Sequence, residues 1–377
     1  MLLSLKNNKS NSAKRVVILA LLFGFLIFLS IFNNFEKVQL VNIEGTSFEK
    51  AVVMEVLQEN EESQESRQRL KVKVLSGQYK GRIIEATSFY GYLYGAKCNV
   101  NTKVILNMST SGGSYYASVY SYYREPIIYG FIGVFIFLLW IIGGKKGIKS
   151  AVALMFTFVC IIYLFIPMLY KGYSPFLSAV IVVIMTTIVT MYLIDGFTIK
   201  SISAALGTVI GVIIAGIFAA SFGYVSKISG YNVAEIEELV YIGNNTNLQI
   251  GGILFAGILI ASLGAVMDVS MSVASTLNEI YEKNPNLNKK ELFKSGINVG
   301  RDMMGTMSNT LILAFTGGSI NTLIFSYAYC MQYNQIINMY SIGIEIMKGI
   351  SGSIAVLLTV PLVSLISSIL LTKKRIS

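Results

Sequence analysis

The side chains of this chain that could do chemistry lie where long apolar runs of the sequence begin or end. Asp195 ends one run, Asp268 ends another, and Asp302 opens a third directly after Arg301. A charged side chain at such a position is costly to bury in lipid and needs a partner or a path for water. If the three segments are neighbours, these groups converge at one depth, where they could bind an ion or a small polar solute.

The run that follows Asp302 carries further polar groups among apolar ones. Thr306 and Thr310 share one helix face, Asn309 adds an amide, and Gly317-Gly318 predicts a tilted, broken or re-entrant segment. Two interpretations stay open. In one, Asp302 is stabilised by the dipole of a first helical turn and Asn309 bonds to a neighbouring helix. In the other, these groups line a polar path beside a broken helix, as in transporters.

A polar stripe continues from Asp268 at helical spacing. Its members are Asp268, Ser272, Ser275, Glu279 and Glu282, and the opposing apolar stripe is Val266, Val269, Val273, Leu277 and Ile280. The pattern predicts that the sixth membrane helix continues as an amphipathic helix. The polar stripe is then the solvated face of that helix, or Asp268 lines a water-accessible vestibule with Asp302 and Asn309.

Small residues recur every fourth position in the fifth apolar run: Ser203, Gly207, Gly211, Ala215, Ala219 and Gly223. This spacing places them on one face, against which another helix can approach closely. We therefore predict a helix-packing face centred on Gly207, Gly211 and Ala215, which is either static or a sliding surface. The sixth run repeats the pattern more briefly with Gly257, Ala261 and Ala265.

Catalytic motifs are absent from the sequence. There is no histidine, the three cysteines are far apart, and neither a Walker A loop nor a nucleophile elbow occurs. We therefore expect no enzymatic activity, no cofactor and no metal site.

The composition is that of a membrane protein. Of the 377 residues 54% are hydrophobic and only 13% charged, against roughly 25% charged residues in ordinary globular domains. The net charge of +10 does not indicate nucleic-acid binding, because the basic residues flank the apolar runs.

Eight runs are apolar enough to be considered as membrane spans. They are residues 16–32, 127–142, 151–169, 176–194, 202–222, 250–267, 303–331 and 350–371. The sequence thus predicts an α-helical integral membrane protein with about eight transmembrane helices. Its parts are a cytoplasmic N-terminus with an uncleaved signal-anchor helix (1–35), an extracytoplasmic all-β domain (36–124) and a seven-helix membrane domain (125–377).

The distribution of positive charge predicts the orientation of these spans. Sixteen Lys and Arg residues lie in the segments on the N-terminal side of the membrane, against three in the short loops of the other side. Because basic residues are enriched on the cytoplasmic side, we expect both termini in the cytoplasm of a cell whose plasma membrane the chain spans.

The segment 36–124 has the pattern of β-strands. Hydrophobic and polar residues alternate in 70–74 and again in 104–108, and Gly77 and Gly81 bracket a turn. The polar run from Gln58 to Gln68 is predicted to be an exposed loop. We expect five or six short strands in a small barrel or sandwich.

Two longer motifs resemble a known family. The stretches GAVMDVSMS at 264–272 and GRDMMGTMSNTLILA at 300–314 are similar to those of the YibE/F-like family of bacterial multi-pass membrane proteins. The resemblance covers about residues 125–375. It implies location and architecture, but neither an activity nor any functional residue.

The leading functional hypothesis is a transporter or permease for a small solute or ion, supported by the many spans and by the polar, glycine-broken seventh run. The alternative is an envelope sensor or membrane scaffold that uses the β domain, and a membrane-embedded enzyme comes third. The expected partners are the lipid bilayer and either a second copy or a second membrane subunit.

Overall fold

The computed structural model describes residues 23–35, 40, 45–60, 66–91, 95–111 and 114–373. These residues divide between two compact units, one within Gln39–Ile142 and the other within Met1–Val38 and Gly143–Ser377. The first part of the predicted anchor, residues 16–22, lies outside the described residues.

The first unit contains a closed barrel. Its described strands are β1 (Thr46–Asn60), β2 (Ser66–Val74), β3 (Ile83–Tyr90), β4 (Lys103–Ser111) and β5 (Ser114–Tyr122). They pair in the order β1-β2-β3-β5-β4, antiparallel except between β3 and β5. The neighbours β4-β1-β2-β3 have Greek-key order, and β5 closes the barrel. The small β domain predicted from the sequence is confirmed.

The alternation along β2 explains how the barrel buries its core. Leu70, Val72 and Val74 are fully buried, whereas Lys71 and Lys73 between them are exposed. Successive side chains of a strand point to opposite faces, so one face of β2 lines the barrel interior. The strand predicted over 70–74 is therefore confirmed.

Where the structure describes the polar run 58–68 it is strand and not loop, so the prediction is wrong there; residues 61–65 lie outside the described residues. β1 continues to Asn60, β2 begins at Ser66, and Asn60 pairs with Arg67. The alternation is still present, since Gln68 is buried between exposed neighbours. The polar composition concealed it, because the buried position is filled by an amide instead of a hydrophobic side chain.

Gln68 is the polar member of the barrel core. Its Nε2 donates to the Cys98 carbonyl at 3.1 Å, and its Oε1 accepts from the Cys98 backbone N–H at 2.8 Å. Both hydrogen-bonding ends of the amide are thus satisfied, as a buried polar group requires. The Cys98 thiol is also buried, and its burial raises the thiol pKa to about 11.

Helices make up the rest of the described chain. They are α1 (Phe23–Phe32), α2 (Glu125–Cys160), α3 (Ile166–Tyr170), α4 (Pro175–Asp195), α5 (Ile199–Ser226), α6 (Ile236–Asn245), α7 (Ile253–Lys283), α8 (Lys289–Gly318), α9 (Ile320–Ala328), α10 (Tyr333–Ile337) and α11 (Tyr340–Lys373). A π-helical turn, Ile161–Phe165, joins α2 to α3, and the α2 backbone leaves helical geometry at Gly144 (φ 53°, ψ −133°). The helix α7 extends to Lys283, as the amphipathic pattern predicts.

Five described helices are long and apolar enough to cross a membrane, or six if the bent pair of α8 and α9 counts as one span. The longest, Glu125–Tyr170, covers two of the predicted runs in 46 residues. The predicted total of eight spans is not confirmed. The break predicted near Gly317-Gly318 is confirmed, because α8 and α9 meet at 59°.

Close contact of α5, α7 and α11 forms the centre of the helical unit. A Cβ added at Gly207 would collide with Val363 of α11, and one at Gly211 would collide with Thr359 and lie 2.8 Å from Val266 of α7. Gly207 and Gly211 lie one helical turn apart, as do Val363 and Thr359. Two successive layers of the three-helix contact therefore depend on glycine.

The helix α8 reaches α11 in the same way. A Cβ at Gly300 would collide with Val360, and one at Gly296 would collide with Ser364 and lie 2.9 Å from Leu277 of α7. Glycines thus set the spacing of α8 against α7 and α11.

The helix α1 is held against the end of α2 and the segment after it. The Asn33 side chain donates to the Tyr163 carbonyl in the π-helical turn at 2.8 Å, and Lys171 Nζ donates to the Phe32 carbonyl at 2.6 Å. The Lys171 ammonium also lies 3.7 Å from the centre of the Phe32 ring. A cation at the C-terminal end of α1 is favourably placed with respect to the helix dipole.

The glycine contact predicts a selective effect of enlarging Gly211. We expect Gly211→Leu to destabilise the protein by at least about 2 kcal/mol, because overpacking a close-packed core typically costs about 1–3 kcal/mol. The matched control is Gly133→Leu in α2, where nothing lies within 4 Å of an added Cβ. Thermal unfolding in detergent measures both. Equal midpoints would contradict the packing role.

The barrel core predicts unequal cysteine reactivity. In detergent at pH 8 the exposed Cys330 should react readily with maleimide, while Cys98 stays unmodified until the protein unfolds. Burial blocks access to Cys98, and a thiol pKa of about 11 leaves roughly one thiolate in a thousand at that pH. Peptide mapping by mass spectrometry assigns the label. Modification of Cys98 in the folded protein at the rate of Cys330 would refute the closed core.

Candidate functional site: polar faces of α7 and α8

The start of α8 sets the position of its polar residues. Asn288 Oδ1 accepts the Glu291 N–H at 3.0 Å, and Glu291 Oε2 accepts the Asn288 N–H at 2.9 Å, which is a complete capping box. The helix therefore begins at Lys289, and Asp302 lies well inside it. The prediction that Asp302 occupies a first helical turn is wrong, and the dipole of that turn does not account for this carboxylate.

Three of the predicted path residues are exposed on α8: Asp302, Thr306 and Asn309. The Thr306 hydroxyl donates to the Met303 carbonyl of its own helix at 2.9 Å. Within the described part of the chain, the side chains of Asp302 and Asn309 have no hydrogen-bond or ion-pair partner. Asn309 does not form the expected hydrogen bond to another helix among the described residues. Its amide and the Asp302 carboxylate are therefore available to bind water, an ion or a polar solute.

Asp268 lies on the outward face of α7. It is exposed, whereas Val266, Val269 and Ser270 around it are fully buried. The same outward face carries Gly257, Ala261 and Gly264. Nothing lies within 4 Å of an added Cβ at either glycine. Of the series predicted to pack in the sixth run, Gly257 and Ala261 therefore face away from the bundle, whereas Ala265 is half-buried and packs against the core.

The helices α7 and α8 are neighbours in the bundle, which brings these two polar faces onto one unit. Asp268, Asp302, Thr306 and Asn309 thus share the property of pointing outward. Arg301 is exposed beside Asp302, and no ion pair joins it to an acid among the residues that the structure describes. The packing residues Gly207, Gly211 and Ala215 lie on α5 and are buried inside the helical unit.

Asp195 has a partner that the sequence analysis did not consider. Its Oδ1 lies 3.0 Å from Lys200 Nζ, and the two side chains are 14% and 20% exposed. The pair joins the end of α4 to the first turn of α5. In the described structure this carboxylate is neutralised locally, and no ion pair links it to Arg301.

The break between α8 and α9 carries a second polar group. A cavity of about 200 Å³ lies there between α8, α9 and α11, and its wall includes Thr316, Ser319 and Glu345. Glu345 pairs with Lys348 at 2.7 Å, and both side chains are at most one-third exposed. Sequence reasoning missed this pair because the last apolar run was taken to begin at residue 350, although the i,i+3 spacing of opposite charges was visible.

No metal site is evident in the described ranges, where no group of three or more His, Cys, Asp or Glu side chains could hold an ion. The chemistry that the site offers is that of carboxylates and an amide: hydrogen bonding, proton exchange and attraction of cations.

Comparison with known proteins adds a family but no relative of known activity. The model of the family described as YibE/F-like protein matches residues 131–373, well over half of the chain and all of α7 and α8. No curated protein and no solved structure matches the chain. Together with the apolar helices, the family indicates a membrane protein. The family that the two motifs resemble is thereby confirmed, and the chain belongs to the YibE/F-like protein family.

Proposed function

We propose that this protein moves a small ion or polar solute across the cell membrane, and that the polar faces of α7 and α8 line its path. One observation carries the proposal. Asp268, Asp302 and Asn309 are exposed and unpartnered in the described structure. Asp268 lies on α7, which is long and apolar enough to cross a membrane, and the other two lie on α8, which is so together with α9. The two carboxylates favour a cation as the permeating or coupling species.

Lipid alone is a poor neighbour for these faces. A carboxylate that faces lipid at a helix centre costs about 2.5–3.5 kcal/mol on insertion scales, and less near the interface. At Gly257, Gly264 and Gly305, nothing lies within 4 Å of an added Cβ. The missing side chains leave room beside the acids for water or for another helix.

The broken helix supports the same function. Where α8 ends at Gly318 the chain turns by 59°, beside Ser319 and the Glu345–Lys348 pair. Transporters bind solutes and ions at such breaks, through backbone groups freed from the helix. Asp268, Asp302 and the break would then be successive parts of one path.

A path on an outer face needs a second wall. A second copy of the chain or another membrane subunit is proposed to cover the α7 and α8 faces, with small residues of α7 allowing close approach. Both termini are placed in the cytoplasm and the barrel outside, on the distribution of basic residues.

One observation favours a second candidate, an envelope sensor. Lys50 of β1 lies 2.7 Å from Glu125, the first residue of α2, and donates to the Tyr123 hydroxyl at 2.9 Å. These hydrogen bonds to Glu125 and Tyr123 raise the pKa of Lys50, which keeps it charged. A ligand that shifts β1 would therefore pull on a membrane helix.

Water accessibility tests the path without knowledge of the substrate. In a Cys330→Ser background, we expect Asp268→Cys and Asn309→Cys to react with a charged methanethiosulfonate reagent in proteoliposomes. Ile217→Cys is the matched control, because Ile217 is 53% exposed on an apolar helix surface and its thiol should stay in lipid. If 268 and 309 are as inert as 217, the faces do not line a water-filled path.

Flux tests the function itself. We expect the purified protein in liposomes to conduct Na⁺, K⁺ or H⁺, and Asp268→Asn to lower that flux about tenfold if the carboxylate contributes about 1.4 kcal/mol to holding the cation. Glu238→Gln, which removes an exposed charge on α6 outside both polar faces, should leave it unchanged. Equal flux through both variants would contradict a role for Asp268, and no flux of any cation would favour the sensor.

A further inference from the structure

A cavity of about 590 Å³ lies where the barrel continues into its membrane helix. Its wall is formed by Lys103 of β4, by Tyr122 and Arg124 at the end of β5, and by Ile127 and Ile128 in the first turn of α2. All of these residues belong to the unit Gln39–Ile142. The volume lies within the roughly 300–1,000 Å³ of typical small-molecule sites.

One side of the cavity is positively charged. Lys103 and Arg124 form no ion pair with any residue that the structure describes, and both are exposed. The Arg124 guanidinium lies 5.3 Å from the centre of the Tyr122 ring, whose hydroxyl donates to the Lys97 carbonyl at 2.7 Å. The ring is thus held in place and positions the guanidinium by a cation–π contact.

The nearest carboxylate does not cancel this charge. Glu125 is bound by Lys50 at 2.7 Å, and Tyr123 accepts a hydrogen bond from the same ammonium. The two remaining cations, Lys103 and Arg124, are therefore available to an anion.

The other side of the cavity is apolar and continues along α2. No residue of 125–142 is buried, and Ile127, Phe131 and Ile142 are 73%, 80% and 83% exposed. A helix that is apolar on every side belongs in the hydrocarbon of a membrane. The cavity then lies at the level of the headgroups, where tyrosines such as Tyr122 are enriched.

We infer that this cavity binds an anionic phospholipid. Lys103 and Arg124 hold the phosphate of its headgroup, and its acyl chains run along Ile127 and Ile128. The inference is independent of whether the protein transports. It gives the barrel a fixed position on the membrane surface.

Because one side of the cavity is cationic and the other is apolar, the cavity favours a phospholipid over a free phosphate. A soluble anion would use the two cations and leave the isoleucines unused, whereas a phospholipid covers both. A zwitterionic headgroup brings its own ammonium near Lys103 and Arg124 and therefore binds less well.

Lipid titration of the detergent-purified full-length protein, followed by native mass spectrometry, tests the inference. The probes are phosphatidylglycerol, phosphatidylcholine with the same chains, and glycerol 1-phosphate. We expect the first to bind most tightly and the last not to bind at the same concentration. Lys103→Gln with Arg124→Gln should weaken phosphatidylglycerol binding roughly fivefold for each cation removed.

The matched control is Lys71→Gln with Lys73→Gln, which removes two exposed cations of β2 outside the cavity. An equal loss in this control, equal binding of phosphatidylcholine, or binding of glycerol 1-phosphate as tight as that of lipid would each overturn the site. If the cavity variant fails to fold, photoactivatable phosphatidylglycerol is applied to the unaltered protein. Cross-links concentrated at residues 122–131 support the site, and cross-links spread evenly over all membrane helices refute it.

Discussion

The close approach of α5, α7 and α11 is the constraint on which the rest of the helical unit depends. Lipid tails are as apolar as leucine, so membrane helices associate through packing instead of a hydrophobic driving force. At Gly207 and Gly211 that packing leaves no space for even one more carbon. Because α7 turns Val266 and Ser270 into this contact, its helical geometry directs Asp268 to the opposite side. The outward polar face is thus a geometric consequence of the buried one.

The barrel is stabilised by different physics. Its core is filled by alternate residues of strands that close into a barrel, and the closure between β3 and β5 is made through one residue pair, Thr87 with Ser118. The polar exception is Gln68, which forms two hydrogen bonds to the backbone of Cys98. A leucine at this position would leave the Cys98 N–H and carbonyl buried without partners.

Short-range patterns predicted more of the fold than of the site. The alternation of hydrophobic residues in β2 and the small residues at every fourth position of α5 each show which face of one element packs against its neighbour. The glycine pair in α8 correctly indicated a break. The start of α8 could not be read from hydropathy, which reports only the apolar part of a helix, although Asn288 and Glu291 have capping-box spacing. Whether Asp268 faces the bundle or its outside depends on tertiary neighbours that no local pattern reveals. The Asp195–Lys200 pair, by contrast, joins residues only five positions apart, and it was missed because a partner for Asp195 was sought on helices farther along the chain.

The bond between Lys171 and the end of α1 has a consequence for biosynthesis. Phe32 and Lys171 are 139 residues apart, so at about 5–20 residues per second the ribosome needs roughly 7–28 s to supply the partner of a helix already made. The five strands are all synthesised within that interval, and small β domains fold in milliseconds to seconds. The barrel can therefore form before Lys171 is available to bond to the end of α1. The hydrogen bond from the Lys171 ammonium to the Phe32 carbonyl can therefore form only after the whole barrel sequence has been synthesised.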